Sequence, residues 1–240
     1  MQNAKLSIAN CKGQKGDILF GKDKTKEAIT IYIEALKAWE ASDDPQKQIA
    51  IATYYTKIST VNYKLNEFDK AFEYDMLALD IFLSGTNEEG KAYALIYLCD
   101  DFNALKELDS FLVYLAKAKP IVKKLNISKL NIQYYNKLAQ ISRLKNNYKG
   151  AIGYYENTIS EATKANDPYQ IAASQKMIGL CYEKLGDFIS ARKYLLTALS
   201  IPKLNNYIKE KIEILQELVN VEEKPNNNSG AFVYLNSLLR

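Results

Sequence analysis

Apolar residues recur along most of the chain at offsets of three, four and seven, the spacing that gathers side chains on one face of an α-helix. One stripe runs Tyr55, Ile58, Ser59 and Asn62, and returns forty positions later as Leu95, Leu98, Cys99 and Phe102. It returns again as Tyr135, Leu138, Ala139 and Ser142, and then as Gln175, Ile178, Gly179 and Tyr182. Its third member is small each time, which predicts that a second helix packs close at that point. A matching stripe follows: Ala71, Asp75 and Ala78, then Phe111, Leu115 and Ala118, then Ala151, Tyr155 and Thr158, then Ala191, Leu195 and Ala198. Between the two stripes stand Asn66, Lys106, Asn146 and Gly186, in one register. Asn and Gly tolerate the left-handed backbone that ends helices, so this register predicts the turn between paired helices. At least ten helices in antiparallel pairs are expected, with no β-strand.

A large–small–large pattern in a first helix, with alanines in the second, resembles the tetratricopeptide repeat. The most faithful copy is Ile178, Gly179, Leu180, Cys181 and Tyr182, followed by Gly186, Asp187, Phe188, Ala191 and Ala198. The resemblance implies an all-α fold, a right-handed superhelical solenoid of antiparallel helix pairs. It also implies a binding role rather than a catalytic one. The usual period is about 34 residues; the longer one here predicts longer helices and longer joints. Long-period versions resemble those in bacterial regulators, such as peptide-sensing receptors and the sensor regions of some kinases and transcription factors. Some long-period relatives dephosphorylate response regulators through a helical bundle ahead of the repeats, for which this chain has no room before its first repeat.

The register divides the chain into a single array with repeats at 9–51, 52–91, 92–131, 132–171 and 172–211, and a partial one at 212–240. Near the start, Ala28, Tyr32 and Ala35 mark a second helix, but its partner contains Lys12, Gly13, Lys15 and Gly16. That opening reads as polar and flexible, a frayed cap or a poor first repeat. At the far end Leu215, Leu218 and Val219 begin a sixth first helix, and Ala231 and Leu235 its partner, with a loop from Glu222 to Gly230 between them. Asp44 before Pro45, and Asp167 before Pro168, read as caps with proline at a helix start, where its missing N–H costs nothing.

Composition removes most chemistry. The 240 residues contain no histidine, the commonest general base and metal ligand. No glycine-rich phosphate loop, nucleophile elbow or metal motif is present, so neither catalytic residue, metal nor cofactor is expected. Cys11, Cys99 and Cys181 are widely spaced and read as unpaired, small core residues. The net charge of +4, from 32 basic and 28 acidic residues, is no nucleic-acid footprint. No apolar run of about 18 residues spans a membrane, and no secretory signal opens the chain. A cytoplasmic protein is expected, with the periplasm as the alternative if a leader has been removed. The 18 tyrosines include Tyr54–Tyr55, Tyr134–Tyr135 and Tyr154–Tyr155. Of these, Tyr55, Tyr135 and Tyr155 fall on packing positions.

In such solenoids the first helices line the inner face, so their non-packing residues define a candidate groove for a protein or peptide. They are Lys57; Tyr93, Tyr97, Asp100 and Asn103, with Ile96 in the same register; Gln133, Asn136, Lys137 and Gln140; and Lys176. Amides can bond a peptide backbone, and tyrosines give rigid contact area. Lys137 and Asn136, flanked by Lys57 and Lys176, resemble the basic clamp by which some family members hold a terminal carboxylate, with Lys137 exposed. The leading reading is the sensing or docking segment of a larger bacterial regulatory protein. The alternative is a free-standing peptide receptor or adaptor that forms a homodimer through its terminal repeats.

Overall fold

The computed structural model describes residues 2–201 and 207–223, and these contain eleven α-helices and no strand. The chain divides into two compact units, Met1–Leu125 and Asn126–Arg240. The first holds α1 (Gln2–Gly21), α2 (Thr25–Glu40), α3 (Lys47–Lys64), α4 (Phe68–Ser84), α5 (Glu88–Ala104) and α6 (Leu108–Leu125). The second holds α7 (Ser128–Leu144), α8 (Tyr148–Lys164), α9 (Pro168–Lys184), α10 (Phe188–Leu199) and α11 (Ile208–Glu222). Within each unit every helix packs on the next, which makes each a stack of helix pairs. The expected partner of α11, around Ala231 and Leu235, lies outside the described residues.

The turns inside the pairs follow the repeat. Asn66, Lys106, Asn146 and Gly186 have φ of 61°, 63°, 57° and 78°, and Asp23 does the same for the first pair at 61°. Each is followed by an N–H that reaches back to the carbonyl five residues earlier: Glu67 to Asn62 at 2.9 Å, Glu107 to Phe102 at 2.7 Å, Asn147 to Ser142 at 2.8 Å and Asp187 to Tyr182 at 2.9 Å. This bond satisfies a carbonyl that the helix end leaves open. In the last two pairs the same residue then starts the next helix, with Asn147 Oδ1 accepting from Gly150 N and Asp187 Oδ1 from Ser190 N. Sharing one residue between closing and capping keeps the hairpin tight. Asp167 caps α9 with Pro168 at its start, as expected. Pro45 departs from expectation: α3 begins at Lys47, and Asp44 instead accepts from Gln46 N at 2.8 Å to hold a turn ahead of the helix.

The small positions are where paired helices touch. Ser59, Cys99, Ala139 and Gly179 are all buried, opposite Ala71, Phe111, Ala151 and Ala191. A Cβ on Gly179 would stand 2.9 Å from Leu195 Cγ and 3.2 Å from the Ala191 carbonyl. In the equivalent place Cys99 Sγ lies 3.7 Å from the Phe111 carbonyl.

Three expectations about packing need correction. α1 is neither frayed nor a loose cap but the packed partner of α2. Its glycines are contact points: a Cβ on Gly13 would meet Tyr54 Oη at 2.2 Å, and one on Gly16 the Tyr32 ring at 2.4 Å. The tyrosine pairs at 54–55 and 134–135 are used in the opposite order, with Tyr54 and Tyr134 buried and Tyr55 and Tyr135 half-buried. Tyr54 is drawn in by the preceding pair, where its hydroxyl donates to the Ala9 carbonyl at 3.1 Å. Of the cysteines, all free, Cys99 and Cys181 are buried but Cys11 on α1 is exposed.

Candidate functional site

The first unit has two pockets along its first helices. One, of about 410 Å³, lies between α1 and α3, where Asp17, Trp39, Tyr54 and Lys57 are among its lining. The other, of about 400 Å³, lies between α3 and α5 and is lined by Thr56, Lys57, Phe82, Tyr93 and Tyr97, among others. Thr53 and Lys57 belong to both, so the two pockets adjoin across α3. Of the expected groove residues, Lys57, Tyr93 and Tyr97 therefore come together. Asp100 and Asn103 follow along α5, half-buried and outside that lining. Ile96 is wholly buried, at 0% exposure, because it faces the core between pairs rather than the groove.

The charge of Lys57 is engaged within the unit. Its ammonium binds Asp17 and lies 5.3 Å from the centre of the Tyr32 ring. The Tyr32 hydroxyl donates to the same Asp17 oxygen at 2.7 Å. Burial first, and then this carboxylate, push the Tyr32 phenol well above its ordinary pKa.

In the second unit a pocket of about 320 Å³ lies between α7 and α9, with Asn136, Lys137, Gln140, Arg143, Gln170 and Met177 in its wall. Asn136 is held in place, donating from Nδ2 to Gln170 Oε1 at 3.3 Å and accepting from the Thr158 hydroxyl at 3.3 Å. Gln133 precedes it on α7, half-buried. Lys137 is not the exposed lysine expected from its register: it is 8% exposed, enclosed between α7 and its neighbours. Lys176 is also withdrawn. Its Nζ lies 2.9 Å from Glu210 Oε1 and 2.6 Å from Glu213 Oε2. Burial opposes its charge, yet the two carboxylates hold its pKa above the ordinary lysine value. Lys176 thus fastens α9 to α11.

One feature of the first unit was only half legible in the stripes. Asp75 on α4 and Asp101 on α5 are both buried, at 3% and 1% exposure. Burial, followed by the adjacent Asp101, holds the Asp75 carboxyl well above the usual range, while a hydrogen bond from Ser59 works the other way. The stripe at 71, 75 and 78 implied that Asp75 is buried; nothing in the spacing of Asp75 and Asp101 implied that they meet. The described residues contain no group of three or more Asp, Glu or Cys side chains able to hold a metal ion. None of the described helices is long and apolar enough to cross a membrane.

Stacked antiparallel helix pairs, small residues at each contact and pockets between consecutive first helices define a helical-repeat scaffold. The tetratricopeptide repeat family matches residues 176–203, which include the copy centred on Gly179. Residues 176–203 thus match a tetratricopeptide repeat, and the remaining helix pairs repeat the same arrangement. No curated protein matches the sequence. Among solved structures it is similar in fold to BtubC from P. vanneervenii, with a TM-score of 0.62 and 18% identity over 86% of this chain and 92% of that one. It is also similar to a Signal Transduction ATPase with Numerous Domains from Pyrococcus horikoshii that has a tetratricopeptide repeat sensor, with a TM-score of 0.76 and 18% identity. There it covers 99% of this chain but only 34% of the other, so it spans about a third of that protein. A third is a Rap protein complexed with Competence and Sporulation Factor, with a TM-score of 0.67 and 15% identity over 98% of this chain and 76% of that one.

Proposed function

We propose that the chain binds a protein or an extended peptide along the inner faces of its first helices, as the sensing or docking segment of a larger regulatory protein. The observation behind this reading is the placement of the pockets. They lie between α1 and α3, between α3 and α5, and between α7 and α9, lined by first-helix residues that pair packing leaves available. Pockets of this size lie at the small end of the range that holds a ligand, with room in each for one or a few side chains. The similar Rap protein is complexed with a sporulation factor, and the similar ATPase has its repeats as a sensor. Both fit the reading. The ligand contacts would come from Lys57, Tyr93, Tyr97, Asp100 and Asn103 in one unit and from Gln133, Asn136, Lys137, Gln140 and Lys176 in the other. With Lys57 and Lys176 already ion-paired, amide and tyrosine contacts carry more of the recognition than a basic clamp.

The six repeats at 9–51 through 212–240 would then form one binding array, working in the cytoplasm, where unpaired cysteines are at home. The test is selection of peptides from a displayed random library on the full chain, followed by affinity measurement on variants. Tyr97→Ser and Gln140→Ala should weaken the selected peptides at least tenfold, while Lys193→Ala on the exposed side of α10 leaves them unchanged. Loss of binding only with Lys193→Ala would place recognition on the outer face. A free-standing receptor that dimerises through its terminal repeats is the second reading, separated from the first by sedimentation of the isolated chain.

A further inference from the structure

The pocket between α3 and α5 has an aromatic wall in an acidic setting. The Tyr93 and Tyr97 rings lie 5.9 Å apart and 22° from parallel, stacked along one turn of α5, and both line the pocket. Behind them, Gly90 makes room for Phe82; a Cβ there would stand 2.4 Å from the ring. Two charged side chains line the pocket, Lys57 and Glu89. Lys57 is turned toward α1 and α2, bound to Asp17 and above Tyr32. Glu89 is exposed in the first turn of α5 and forms no ion pair among the described residues. The acids continue behind the wall. Burial and then Tyr93, Asp75 and Asp100 push the Tyr97 phenol up to about 12, while burial and Glu89 raise that of Tyr93. A tyrosine face attracts a cation through its quadrupole, and the exposed Glu89 carboxylate adds to that attraction and repels an anion.

We propose that this pocket takes a lysine or arginine side chain of the bound protein or peptide. The aliphatic stem would lie against Phe82, and the charged head over Tyr93 and Tyr97 toward Glu89. The inference rests on the groove reading above and adds a charge preference to it. A basic head is strongly hydrated, and a half-open pocket lets it keep water on one side while its stem is covered.

The experiment uses the full chain and three blocked glycine–serine peptides that differ in a central arginine, norleucine or glutamate, each titrated by two-dimensional NMR. The arginine peptide should shift the amides of Thr56, Tyr93 and Tyr97 and bind more tightly than the norleucine peptide by about two- to fivefold. The glutamate peptide should leave those amides in place. Glu89→Gln should bring arginine binding close to that of norleucine without altering the norleucine result. Equal binding of arginine and norleucine at these amides would sink the basic preference and leave the groove intact. Shifts confined to Lys70 and Glu73, on the exposed side of α4, would sink both.

Discussion

Replacing Asp75 with asparagine should stabilise the first unit at neutral pH, the reverse of what removing a buried polar partner ordinarily does. Asp75 and Asp101 are 3% and 1% exposed, so an ionised pair there would place two like charges in a medium of low dielectric. Burial and the neighbouring acid raise the Asp75 pKa in the folded state. The sign follows from linkage. A carboxyl whose folded pKa is raised gives its full stabilisation below the unfolded value of about 4, and loses it as pH climbs toward the folded value. Over that window each pH unit costs about 1.4 kcal/mol. Asparagine has nearly the same shape, can still accept from Ser59, can donate to Asp101 and does not ionise. Its expected gain at pH 7–8 is about 1–3 kcal/mol, or about 2–4 °C in Tm for each kcal/mol in a protein of this size. Trp39, the one tryptophan, is buried in the first unit's core, so its emission during urea unfolding reports this unit. Measured from pH 4 to 8, the natural protein should lose stability with rising pH, and Asp75→Asn should flatten the slope by about one proton. A variant destabilised at pH 7 with the slope unchanged would show that the natural pair is ionised and well satisfied, and the argument would fail.

Three further outcomes follow from the packing. Gly179→Leu should cost about 1–3 kcal/mol or more, because its Cβ alone would meet Leu195 and the Ala191 carbonyl, whereas Lys193→Ala should stay within about 0.5 kcal/mol; equal melting temperatures would mean that the contact is misassigned. Lys176→Met should cost about 3 kcal/mol by leaving the buried Glu210 carboxylate without its cation, and adding Glu210→Gln to that variant should recover much of the loss; no recovery would point to packing instead. Native protein treated with a thiol reagent should react quickly at Cys11 alone, with Cys99 and Cys181 reacting only in denaturant, since burial excludes the reagent and raises the Cys181 thiol pKa; three fast thiols would contradict the helix register.

How much of this was legible beforehand depends on how local each feature is. The pairing of helices, the turns at Asn66, Lys106, Asn146 and Gly186, and the small contacts at Ser59, Cys99, Ala139 and Gly179 were all readable from periodicity. They depend on residues within one pair, and a helix converts offsets of three and four into a face without outside help. The misreadings arose where a neighbouring pair decides. Gly13 and Gly16 look like helix breakers in α1 until the Tyr54 and Tyr32 rings are brought against them. Tyr54 rather than Tyr55 is buried because α1 supplies the covering surface and the Ala9 carbonyl. Lys57 shares a plausible groove register with Lys137, and Lys176 with Asn136, but a register cannot show that Asp17 waits on α1 or that Glu210 and Glu213 wait on α11. The meeting of Asp75 with Asp101 is of the same kind, two unremarkable acids until α4 packs on α5 and removes the water between them. The repeat by itself determined which residues face which helix of their own pair. Only tertiary structure decided which charges neutralise one another, because that depends on distances between pairs that no periodicity encodes.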